Sequence, residues 1–115
     1  MGFKLLIADN VEVPVKFTVN DGGKTSSHFF HLQARRVPQE AFKPMGDGTD
    51  DRTVSEFLAE QVFGWRGQHL VADDAGEPAA FSPDAFQCML SLVGLAGLVF
   101  KAYLEACGAR GKEKN

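Results

Sequence analysis

The clearest pattern along the chain is the alternation of Val11, Val13, Val15, Phe17 and Val19 with Glu12, Pro14, Lys16, Thr18 and Asn20. Successive side chains of a strand point to opposite faces, so this run predicts a strand with one apolar and one wet face. Pro14 cannot donate to a ladder and argues for an edge strand or a bulge. Residues 3–8 form a shorter apolar run that also suits a strand. Asn20-Asp21-Gly22-Gly23 supplies the residues that tolerate positive φ in a hairpin turn. The returning strand is expected over Thr25–Val37, with Phe30, Leu32 and Ala34 on one face and His31, Gln33 and Arg35 on the other. Three antiparallel strands result, their order left open.

From Pro38 onward the period changes. Pro38 followed by an acid predicts a short helix over Gln39–Phe42. Residues 43–51 are rich in turn formers and read as a loop. A helix is expected from Thr53, which has capping-box spacing to Glu56, with Val54, Phe57, Leu58 and Val62 as its buried stripe and Gly64 as its end. Trp65–Val71 reads as a connector, extended in part, and Asp73–Pro78 as a polar turn. Ser82-Pro83-Asp84 has the order of N-cap, first helical residue and dipole-complementing acid, opening a helix with Phe86, Met89, Leu90 and Val93 on one stripe. Gly94 and Gly97 predict a break or bend, and a last helix covers Leu95–Cys107, its main stripe Leu95, Leu98, Val99, Ala102 and Ala106, ended by Gly108. The fold class is α+β: an N-terminal antiparallel hairpin or small sheet, then about three helices. Residues 1–108 form one domain and 109–115 a loose tail.

Composition narrows the function classes. The chain has 115 residues, 44% of them hydrophobic, enough for one core. Fifteen acidic residues against 12 basic ones give a net charge of −3, and Arg35-Arg36 and the tail hold the clustered cations, so nucleic acid is not an expected partner. Cys88 and Cys107 make no disulfide framework and are expected as free thiols in a reducing compartment. Asp9 and Glu12 interrupt the N-terminal apolar run too soon for a signal peptide. The least polar stretch, Cys88–Phe100, is shorter than the ~20 residues of a membrane span. These readings point to the cytoplasm.

The residues that could carry chemistry do not assemble into a known constellation. His28 and His31 are an odd step apart on a strand and so face opposite ways, unsuited to a shared metal. His69 is isolated. Asp47, Asp50 and Asp51 lack the ligand alternation and terminal Glu of a calcium loop, and Asp73, Asp74 and Glu77 read as a turn. Cys88 has no sequence-near base, and no nucleophile elbow, phosphate loop or dinucleotide fingerprint occurs. No catalytic, cofactor or metal residue is assigned, and an enzyme is not expected.

One feature points outward. The last helix has a second apolar row, Ala96, Phe100 and Leu104, with Tyr103 between the rows, and Lys101 and Glu105 mark its polar side. A surface helix carries one apolar stripe of about 100°. This helix therefore sits either at the centre of the domain's own core or against a partner, in the helix-in-groove manner. Ala96, Phe100, Tyr103 and Leu104 are candidate partner-binding residues. Trp65 joins them, as a core anchor or a docking side chain.

The order of several short segments adds a resemblance. Phe63-Gly64-Trp65-Arg66-Gly67, Asp73–Pro78, Phe81-Ser82-Pro83-Asp84, Val93-Gly94-Leu95, Ala102–Ala106 and the closing Lys114-Asn115 resemble the tail assembly chaperones of long-tailed bacteriophages. That family typically has a tryptophan before an acidic turn, a Pro-Phe-Ser helix start and a Pro-Gly-Leu break. Here Val93-Gly94 stands where Pro-Gly is common, and Ala79-Ala80 precedes the Phe. The N-terminal hairpin through Phe30–Arg36 is similar too. The resemblance implies a cytoplasmic protein of the infected host, absent from the mature virion. It would bind the long, helical tape measure protein and help recruit tail tube subunits, and it could form a homo-oligomer. It also implies a longer product made by a backward ribosomal slip, for which Arg110-Gly111-Lys112 can be encoded. The competing reading is a generic protein-interaction adaptor with no phage role.

Overall fold

The computed structural model describes residues 2, 3, 5–46 and 50–109. Strands β1 (Asn10–Asp21) and β2 (Lys24–Arg35) form a long antiparallel hairpin with Val13 opposite Leu32 and Val15 opposite Phe30. Gly22 and Gly23 take φ of 65° and 95°, the left-handed conformation that a two-residue hairpin turn requires. Asn20 Oδ1 accepts the Gly23 N–H at 2.8 Å and closes the turn. The alternation of apolar residues is matched by alternating burial along β1, from Val11 to Phe17. The hairpin of the sequence reading is therefore present, and the chain is α+β, with a three-stranded antiparallel sheet followed by helices.

The third strand lies elsewhere than expected. It is β3 (Val62–Arg66), which follows directly on helix α1 (Asp51–Gln61) and pairs with β2, giving the order β1-β2-β3. The described residues of the 3–8 run belong to no strand and are exposed. The part of the open β1 edge nearest to them is interrupted by Pro14, which offers no N–H to a pairing strand. Gly64 does not end α1 but sits inside β3 opposite Gln33, where a Cβ would come within 2.5 Å of Gln33 Oε1. The N-cap of α1 is Asp50, whose carboxylate accepts from Arg52 N and Thr53 N, so the Thr53–Glu56 capping box does not form. Glu56 instead pairs with Arg52 one turn away, at 3.6 Å. Asp47 lies outside the described residues.

A 3₁₀ helix over Gln39–Met45 extends the expected short helix by one turn. Helix α2 (Pro83–Leu90) starts as read, with Ser82 Oγ accepting the Ala85 N–H. Helix α3 (Leu95–Cys107) has the expected bounds, between Gly94 at φ 86° and Gly108. The left-handed Gly94 turns the chain by 111° between α2 and α3. Val93 projects from that corner, 93% exposed, and not into the core. One core results: the inner faces of β1 and β2 on one side, α1, α2 and α3 on the other.

Between β3 and α2 the chain makes a long loop organised by one amide. Gln68 is 3% exposed. Its Oε1 accepts the N–H groups of Leu70 and Val71, and its Nε2 donates to the carbonyls of Val71 and Ala79. Asp73 shapes the acidic turn within this loop, its carboxylate accepting from Ala75 N and Glu77 N.

Candidate partner-binding surface

Helix α3 is the element whose sequence raised the question of a partner, and its surroundings answer most of it. Leu95, Ala96, Val99, Phe100 and Tyr103 are all buried. The row of Leu95, Val99 and Ala102 turns toward β1, whereas Phe100 and Tyr103 turn toward α1 and the 3₁₀ helix. There Phe42, Phe57, Phe100 and Tyr103 form a cluster with ring centroids 5.7–6.1 Å apart. The Tyr103 hydroxyl donates to the Arg35 carbonyl, and burial pushes its phenol well above the usual tyrosine range. Ala96, Phe100 and Tyr103 are thus enclosed by the domain's own core and offer no surface to a partner. The apolar circumference read from the sequence is covered twice, by the sheet and by α1 with the 3₁₀ helix.

Trp65 is also engaged internally. Its indole N–H donates to the Ala79 carbonyl at 3.1 Å, and its ring meets Phe81 edge to face at 5.2 Å. It joins β3 to the loop before α2, and Phe81, just ahead of the helix start, packs against it.

Of the five candidates Leu104 remains at the surface, 43% exposed. The structure adds Leu98, 47% exposed, which the periodicity had assigned to the buried stripe. At 100° per residue, Gly97, Leu98, Lys101, Leu104 and Glu105 fall on one strip of α3, about 120° wide. Leu98 and Leu104 flank it and Lys101 lies between them. Gly97 is open outward, with no atom within 4 Å of a Cβ built on it. Leu98 also lines two clefts beside β1, of ~250 and ~340 Å³.

The outer face of the sheet is mostly polar, with Phe29 exposed on it. Glu12 on β1 and Arg66 on β3 meet across β2, Nε to Oε2 at 2.8 Å. That hydrogen bond, more than the charge of Arg66, holds the Glu12 carboxyl below the usual carboxylate range. His28 stacks on Phe17 at 5.3 Å on the inner face, and His31 lies on the outer face against Phe29, so the two imidazoles are on opposite sides as expected. Among the described residues no group of three or more His, Cys, Asp or Glu side chains is placed to hold a metal ion. Among them, too, no single helix is long and apolar enough to cross a membrane.

No family model, no curated protein and no solved structure matches the chain.

Proposed function

We propose that the protein is a tail assembly chaperone of a long-tailed bacteriophage, which binds the tape measure protein in the host cytoplasm and helps bring tail tube subunits to it. The reading starts from the ordered segments between Phe63 and Ala106 that resemble that family. The observation that carries it to a surface is the exposed strip of α3. A helix already buried over most of its circumference still presents Leu98 and Leu104 to solvent, on either side of Lys101. Two leucines bracketing Gly97 and the opposite charges of Lys101 and Glu105 form a surface whose apolar margins an apolar stripe of a client helix can lie along. The physical task is to cover apolar client surface that would otherwise drive aggregation until tube subunits replace the chaperone.

The test is to sequence the neighbourhood of the gene and co-express the chain with the very long helical protein that this reading expects to be encoded there. The client should stay soluble and co-purify with the wild-type chain, and Leu98→Lys with Leu104→Lys should abolish both effects while the far-UV circular dichroism stays unchanged. A client whose solubility and recovery do not depend on this chain overturns the proposal.

A further inference from the structure

Strand pairing gathers on one face of the sheet cations that lie far apart in the sequence. Lys16 of β1 stands opposite Phe29 of β2, Arg66 of β3 opposite His31, and Arg35 of β2 opposite Asn10. The residues that turn away from the helices are even-numbered on β1 and odd-numbered on β2, so all three cations share the outer face. Among the strand residues of that face the one acid is Glu12, which is turned to Arg66. Three cations and one acid give the face a charge of +2, in a chain whose net charge is −3.

The same face holds aromatic rings between those charges. Phe29 is on the middle strand, 55% exposed, with His31 edge to face against it at 4.9 Å and with Lys16 and Arg66 on the strands to either side. Toward the other end, where the register shifts between Gln33 and Ala34, Phe63 is 46% exposed beside a cleft of ~290 Å³ that Asn10, Glu12 and Gln33 also line. At ~3.3 Å per residue, Arg35 lies about 20 Å along β2 from Phe29. The outward side chains around Phe29 include Thr18, Ser27 and Gln33, two hydroxyls and an amide. A packed helix or a second sheet would need an apolar stripe there instead.

We propose that this face binds single-stranded nucleic acid, with one base stacked on Phe29 and the adjoining phosphates on Lys16 and Arg66. An exposed aromatic ring accepts the face of any base, and cations beside it hold the backbone. A duplex hides its base faces in its own stack, so the site selects single strands. The amides of Asn10 and Gln33 both donate and accept, which suits the edge of a second base beside Phe63. Arg35 takes a phosphate further along the strand. An acidic peptide would meet the same cations but offers Phe29 no planar partner, and the ring at the centre of the charges decides for nucleic acid. Arg66 exchanges Glu12 for phosphate on binding, so Glu12 holds the affinity down. The proposal does not rest on client binding, since Phe29 and Arg35 face away from α3.

Fluorescence anisotropy of a labelled oligothymidylate, titrated with the full chain at low salt, should show saturable binding. The logarithm of the binding constant should fall against that of salt concentration with a slope of about −2, ~0.7 for each of three phosphate contacts. Phe29→Thr removes the ring and keeps strand propensity; it should weaken binding about tenfold, the scale of one base–aromatic stack, whereas Phe29→Tyr should bind as the wild type does. Lys16→Gln should weaken binding and make the slope shallower by ~0.7. Glu12→Gln releases Arg66 and should tighten it. Each changed side chain is exposed, and far-UV circular dichroism checks the fold. Should Phe29→Thr unfold, the opposite effects of Lys16→Gln and Glu12→Gln still decide. No binding at low salt, an unchanged affinity in folded Phe29→Thr, or a duplex bound as tightly as the single strand would each overturn the proposal. So would polyglutamate that displaces the probe as well as unlabelled oligothymidylate does, which would assign the face to an acidic protein segment.

Discussion

Replacing Gln68 by Ala tests the idea that one buried amide organises the loop from Gly67 to Ala79. The wild-type side chain makes four hydrogen bonds, two accepted and two donated. The four partners do not lose equally. The Val71 carbonyl keeps the Ala79 N–H at 2.9 Å, and the Ala79 carbonyl keeps the Trp65 indole. The N–H groups of Leu70 and Val71 lose the acceptor they share. A buried donor left unsatisfied costs about 1–3 kcal/mol, and water reaching this loop offsets part of it, so Gln68→Ala should cost about 2–4 kcal/mol. That is a large share of the 5–15 kcal/mol typical of a domain. Urea unfolding followed by fluorescence of Trp65, the sole tryptophan, measures it at the loop itself. The midpoint should fall with the slope unchanged. Gln68→Glu separates acceptor from donor. Its carboxylate can still receive both N–H groups but faces two carbonyls. It should bind a proton more readily folded than unfolded, and its stability should recover as pH falls. A Gln68→Ala change below about 0.5 kcal/mol, the range of ordinary surface substitutions, refutes the reasoning.

Tyr103→Phe removes a buried hydroxyl that donates to the Arg35 carbonyl and should cost about 1 kcal/mol by thermal or urea unfolding. Because burial raises the Tyr103 pKa, its stabilisation holds below the unfolded phenol's pKa and is lost as pH rises, so ultraviolet titration should show this sole tyrosine ionising together with alkaline unfolding. Ser82→Ala deletes the cap of α2 and should cost about 1 kcal/mol in the same unfolding assay. For Glu12, whose folded pKa is lowered by Arg66, the stabilisation is present above the unfolded carboxylate's pKa and lost as pH falls; carbon NMR titration should show Glu12 returning toward its usual range in Arg66→Ala.

Local chemistry made the hairpin, the start of α2 and both ends of α3 legible. Asn20–Gly23, Ser82-Pro83, Gly94 and Gly108 each act within a few residues of themselves. β3 was not legible. Its five residues follow α1 with no turn former between, and what makes them a strand is pairing with Leu32 and Gln33, some thirty residues earlier. Gly64 looked like a helix stop because a glycine's local meaning is ambiguous; in the fold it sits in β3 opposite Gln33, whose side chain occupies the space beside it. The 3–8 run showed the opposite error, a propensity without a partner strand in the same chain. The two apolar rows of α3 were legible as apolar, but periodicity does not say what covers them. A sheet on one side and an aromatic cluster on the other enclose Ala96, Phe100 and Tyr103, and Leu98 becomes exposed because β1 is the last strand of the sheet.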